Sequence, residues 1–178
     1  MPFTPYHFGP SGFFGLALRK WIDIPVFVLA SVVVDIEVMV IMFFRLGYPI
    51  HRYCHTFLIG AAVGALWGVA AYPLRHLFKK VMQIFRIPYQ TNLRKMVISG
   101  MLGVWLHILI DATYHFDVKM FWPNKTISLW WAIRRHVSAE QVENICLVFF
   151  IAAVILYLIA VASYIKQNKV KKAVQKAD

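Results

Sequence analysis

Long apolar runs alternate with short polar segments along this chain, and the runs predict helices that cross a bilayer. Ile145 to Ile165 is uncharged throughout, and at ~1.5 Å per residue it reaches across a ~30 Å hydrocarbon core. Thr56 to Leu74 is also uncharged. Within it Gly60, Gly64 and Gly68 recur every fourth residue, which lets a neighbouring helix approach its backbone. Lys95 to about Phe116 forms a third run, interrupted by His107 and Asp111. Ile24 to Phe44 forms a fourth, with Asp35 and Glu37 in its middle. Residues 8–22 predict a short helix opened by the FGPSG turn, where Pro10 and Ser11 suit a helix start. Arg19 and Lys20 follow this first apolar stretch, the reverse of a cleavable signal, so the N-terminus is expected to be retained. The pattern therefore predicts an all-α polytopic membrane protein with four or five transmembrane helices. One transmembrane domain would cover residues 1–165, and a basic tail residues 166–178.

Composition agrees with this reading. Of 178 residues, 60% are hydrophobic and 15% charged, whereas soluble domains run nearer 45–50% apolar and ~25% charged. The 19 Lys+Arg against 8 Asp+Glu raise the question of nucleic acid, and their placement answers it. Arg75, Lys79, Lys80, Arg86, Arg94 and Lys95 share one connection, and Lys166, Lys169, Lys171, Lys172 and Lys176 form the tail. This is the positive-inside pattern, which expects a bilayer as partner and no nucleic acid. The expected location is the plasma (inner) membrane, with the C-terminus placed on the cytoplasmic side by this pattern, and nothing in the sequence fixes an oligomeric state. Residues 47–55 and 117–144 then fall on the outer side, with His7 at the outer start of the first helix.

The polar residues inside the apolar runs carry the chemistry. An ionisable group at membrane depth costs several kcal/mol unless it is paired, hydrated or bound to metal. His107 and Asp111 are spaced i, i+4, so one metal could accept both side chains from one helical face. His115 continues that face. His51 and His55 are again four apart, and a helical segment would point their imidazoles together. Under the predicted topology His7, Asp35, His51, His55, His107 and Asp111 reach one depth. Nitrogen and carboxylate donors in this mixture suit zinc, with manganese or iron as alternatives, and support metal-assisted hydrolysis. Glu37 and His115 are the candidate acid–base residues, and Arg52 is the candidate clamp for a substrate phosphate. Trp122, Trp130 and Trp131 read as interfacial anchors first and substrate-binding surface second. His76 and His136 lie among arginines and lysines and read as solvated residues.

The order His7, VVVDIE with Asp35, HRYCHTF, and HILIDATYHF followed by FWP resembles the predicted membrane-bound metal-dependent hydrolases, a family also described as LexA-regulated inner-membrane hydrolases. The resemblance covers roughly residues 1–125. Its HxxxD element is also similar to the zinc-ligand helix of zinc-dependent phospholipase C and its nuclease relatives, which cleave phosphodiesters with clustered zinc ions. The resemblance implies metal ligation by His7, Asp35, His55, His107 and Asp111, with His51 as a further ligand. It departs from the family pattern in having no proline before Asp35 and in placing Thr56 after His55. The expected activity is hydrolysis of a phosphoester on a lipid or lipid-linked substrate. The alternative is a membrane metal-binding or transport protein that uses the same ligands without hydrolysis.

Overall fold

Side-chain caps start three of the helices where the apolar runs begin. In the computed structural model, which describes residues 4–124 and 129–174, Asp23 accepts from the Val26 amide at 3.1 Å at the start of α2 (Ile24–Val33). Thr56 does the same for Ile59 at 3.2 Å to open α4 (Phe57–Ala71), and Asn92 for Lys95 at 2.8 Å to open α6 (Leu93–Tyr114). Each cap satisfies an amide that the first turn leaves without a helical acceptor. The remaining helices are α1 (Phe8–Ala17), α3 (Ile36–Phe43), α5 (Arg75–Ile84), α7 (Leu129–Arg134) and α8 (Ala139–Val174), with short 3₁₀ turns at Thr4–His7 and Tyr72–Leu74. Among the described residues there is no strand.

Four helical stretches are long and apolar enough to cross a membrane: Ile24–Phe43, Phe57–Ile84, Leu93–Tyr114 and Ala139–Gln167. The first helix does not add a fifth. With 10 residues it rises ~15 Å, half of a hydrocarbon core. It starts at Phe8, as the sequence suggests, and runs straight through FGPSG, but it ends at Ala17, short of residue 22. Ser11 Oγ donates to the His7 carbonyl at 2.7 Å instead of capping. The basic connection after residue 74 is itself partly helical, as α5, and residues 166–174 of the basic tail continue α8. Residues 175–178, the end of that tail, lie outside the described residues.

Helix α6 is the central post. It packs along α4 on one side and α2 on another, while α8 packs along α1. The α4–α6 contact depends on missing side chains: a Cβ on Gly64 would stand 2.5 Å from the Gly100 carbonyl oxygen, and one on Gly100 would meet the Gly64 carbonyl in turn. Backbones that close gain van der Waals contact along their whole length, which is the purpose of small residues at four-residue intervals. Helix α8 is the opposite case. Leu147, Val148, Ile151, Ile155, Leu158 and Ile159 are all at least half exposed, so its outer face is apolar and uncovered by protein.

The start of α1, the break between α2 and α3, the loop before α4 and the last turns of α6 all lie at one end of the bundle. Beneath them sits an apolar cluster of Ala30, Val34, Val104, Ile108, Ala112, Val118 and Met120. At the other end Asp23 is held by the Tyr89 hydroxyl, which donates to its carboxylate at 2.6 Å, while its backbone amide donates to Ser99 at 2.6 Å.

Candidate metal centre

Four histidines and two aspartates from four separate segments converge at that end. Asp111, in the last turn of α6, is the hub and is 3% exposed. Its Oδ1 lies 3.1 Å from His7 Nε2. Its Oδ2 lies 3.0 Å from His107 Nε2, 3.6 Å from His51 Nε2 and 3.8 Å from His55 Nε2. Asp35 sits in the turn that breaks the α2–α3 run, and its Oδ1 stands 3.2 Å from His107 Nε2 and 3.7 Å from His55 Nε2. Asp35, His55, His107 and Asp111 each offer one donor atom within a common 4.8 Å.

These spacings match a shared ion better than direct pairing. Ligands ~2.0–2.1 Å from a tetrahedral ion stand about 3.3 Å apart, the middle of the observed 3.0–3.8 Å range. The Nε2 atoms of His7, His55 and His107 are buried without an aligned hydrogen-bond partner, although carboxylate oxygens lie close to each. Donors at hydrogen-bond distance but out of hydrogen-bond alignment are what lone pairs directed at one point between them produce. With the four imidazoles acting as neutral ligands, the set of six would carry a charge of −2, which a divalent cation cancels, whereas uncompensated burial of two carboxylates is costly.

The loop from Ile50 to Thr56 shows how two of the imidazoles are aimed. It is not helical, so the i, i+4 spacing of His51 and His55 is not what brings them together. Two carboxylates do so instead. Glu37 accepts from His55 Nδ1 at 3.0 Å and from the Arg52 and Cys54 amides at 3.1 Å each. Asp117 stands 3.0 Å from His51 Nδ1 and accepts from the Ile50 and His51 amides at 3.2 and 3.1 Å. Each acid thus fixes a ring through Nδ1, ties the same loop through two amides, and leaves Nε2 facing Asp111. A carboxylate behind a histidine is the usual outer partner of a metal-bound imidazole. Burial alone would raise the Asp117 carboxyl, but the hydrogen bonds from His51 hold it down at about 2.

His7 and His107 are positioned by packing: their rings stack with centroids 4.2 Å apart and planes 19° from parallel. His115 caps α6 and leaves it in an extended conformation. Its ring lies 4.4 Å from that of His51, and burial pushes its pKa down to about 4. His51, His115 and Asp117 also stand close enough to form a ligand group, but Asp117 already spends its oxygens on His51 and two amides. The Arg52 guanidinium donates through Nε to the Pro49 carbonyl at 3.1 Å, and through one terminal nitrogen to Leu46 at 2.9 Å and Gly47 at 3.4 Å. It is a fixed positive charge beside the centre.

The other sequence candidates separate cleanly. His76 and His136 are exposed and away from the cluster. Burial pushes the Cys54 thiol up to about 11, and the neighbouring Glu37 charge adds to the shift, so it is held as a neutral thiol. Trp131 is exposed and Trp122 stacks edge-on with Tyr53 at 5.5 Å. Asp117 is the residue that sequence reasoning missed. The signal for it was scarcity: of only 8 Asp+Glu in the chain, Asp35, Glu37, Asp111 and Asp117 each stand within a few residues of a cluster histidine or between two apolar runs.

No family model matches the chain, and neither a curated protein nor a solved structure matches it.

Proposed function

We propose that this chain is a membrane-embedded, metal-dependent hydrolase acting on a phosphoester of a lipid or lipid-linked substrate. The observation that carries the reading is the convergence of four Nε2 atoms on Asp111, two of them aimed by carboxylates bonded at Nδ1. His7, Asp35, His51, His55, His107 and Asp111 would hold the ion. Zinc suits this imidazole-rich set best, with manganese and iron as alternatives. A divalent ion bound there polarises a phosphoester and lowers the pKa of water near neutrality.

The chain's own residues divide the remaining work. Glu37, with three bonds already made, holds His55 in place of the acid–base role expected from sequence, and Asp117 holds His51 in the same way. His115, whose ring adjoins His51, is the residue placed to take or return a proton. Arg52, anchored through three carbonyls, presents its charge to a phosphate. The four apolar helical stretches support insertion in the plasma (inner) membrane. The basic residues of α5 and of the end of α8 support a cytoplasmic position for the end opposite the metal centre. Transport of the metal is less well supported, since α4 carries no charged residue.

Detergent-purified protein should hydrolyse bis(4-nitrophenyl) phosphate, lose that activity to a chelator and regain it with zinc. His107→Ala should show none. Folded, metal-loaded protein that leaves every phosphoester offered intact would remove the hydrolase reading.

A further inference from the structure

Two cavities flank the metal centre, and Arg52 and Tyr53 line both of them. The first, ≈ 320 Å³, lies at the end of the bundle and is walled by His51, Thr56, Asp117, Lys119 and Trp122. The second, ≈ 530 Å³, lies on the flank of the bundle, walled by Val33, Ile36, Val40, Ile41 and Val63 from α2, α3 and α4. Glu37 lines the second cavity, beside Asp35, whose side chain at 17% exposure is the most accessible of the metal-centre residues. The polar cavity carries two positive charges, the fixed Arg52 guanidinium and the exposed Lys119 ammonium, against one carboxylate, Asp117, whose oxygens are already engaged by His51 and two amides. The apolar one is a crevice between helices whose outward side chains Ile36, Met39 and Val40 are exposed. Each cavity is within the size range of a ligand pocket.

Resting on the hydrolase reading above, we propose that the substrate is a single amphiphile that reaches the centre sideways from the bilayer. Its apolar chain lies in the α3–α4 crevice, and its anionic phosphate lies across Arg52 and Lys119, next to His51. The two cavities form one site because they share the residues between them. The chemistry of the two walls is opposite, apolar against cationic, and a phosphate ester of a long-chain alcohol matches both at once. A water-soluble phosphoester would fill only the polar half. The crevice opens on the helix flank, so a chain slides in from lipid without crossing water.

The test is a series of alkyl 4-nitrophenyl phosphates with chains of about two to eight carbons, kept below their micelle-forming concentrations, assayed with the zinc-loaded full chain. At roughly the transfer free energy of one methylene, kcat/KM should rise about three- to fourfold per added carbon until the crevice is full. Val40→Trp should flatten that rise, Leu158→Trp on the outer face of α8 should leave it unchanged, and Lys119→Gln should lower kcat/KM for every chain length alike. Metal content measured on each variant shows that the centre is intact. A kcat/KM independent of chain length in metal-loaded protein that still cleaves the two-carbon ester would overturn this inference and leave the hydrolase reading standing. Failure to cleave any member of the series by metal-loaded protein would overturn both.

Discussion

Glu37→Gln separates a metal centre from a mere salt-bridge cluster. The wild-type carboxylate makes three bonds, to His55 Nδ1 at 3.0 Å and to the Arg52 and Cys54 amides at 3.1 Å each. Glutamine keeps the shape but replaces one acceptor oxygen with a donor and removes the charge behind the imidazole. The ring loses basicity and orientation, so metal affinity should fall by about 10–100-fold, equivalent to roughly 1.4–2.7 kcal/mol. One amide is also left facing a donor, and the metal-free protein should lose roughly 1–3 kcal/mol of stability. The assay is competition for zinc against a chromogenic chelator in detergent, paired with thermal unfolding of the stripped protein. Asp117→Asn should behave alike, because Asp117 makes the same set of bonds around His51. If both variants lose metal-free stability while their zinc affinity stays that of the parent, the carboxylates only pin the loop and the argument about ring orientation is refuted.

The packing makes three further predictions. Gly64→Ala should push α4 from α6, since its Cβ would stand 2.5 Å from the Gly100 carbonyl oxygen. A cost of about 1–3 kcal/mol or more should lower the unfolding midpoint, while Gly12→Ala, whose Cβ would meet Ala153 at an ordinary 3.6 Å, should leave it unchanged. Asp23→Ala removes the α2 cap and the Tyr89 acceptor together; thermal unfolding should show a loss of roughly 1–3 kcal/mol, larger than for Tyr89→Phe. Chelation should lower the midpoint of the parent in proportion to zinc affinity, about 2.7 kcal/mol at free zinc 100 times the Kd, and His107→Ala should give no response to added zinc.

Much of the framework was readable from periodicity because the bilayer-length runs are uninterrupted and their caps are local. Thr56 opens its apolar run and caps α4 directly, while α6 starts at Leu93 behind Asn92, two residues ahead of the run read from Lys95. The HxxxD pair was readable for the same reason, since His107 and Asp111 share one regular helix. The α2–α3 break at Asp35 was not, because no proline or glycine marks it. It places Asp35 and Glu37 on opposite nitrogens of one imidazole, His55. The loop carrying His51 and His55 was also hidden, because its shape is set by Glu37 and Asp117, the latter 66 residues away from His51. Long-range hydrogen bonds leave no local pattern. The positions of His7 and His107 side by side follow from α1 lying against the bundle, which no spacing in the chain encodes.

A metal ion held by His7, Asp35, His51, His55, His107 and Asp111 should survive purification. The most direct test is elemental mass spectrometry of the detergent-purified, zinc-supplemented protein beside His55→Ala, His107→Ala and the exposed control His76→Ala. At least one zinc per chain should be retained in the parent and in the control, and lost from both site variants. Folded parent protein that retains no zinc, manganese or iron would contradict it, and the buried cluster would then be a network of histidine–carboxylate pairs that joins the helices.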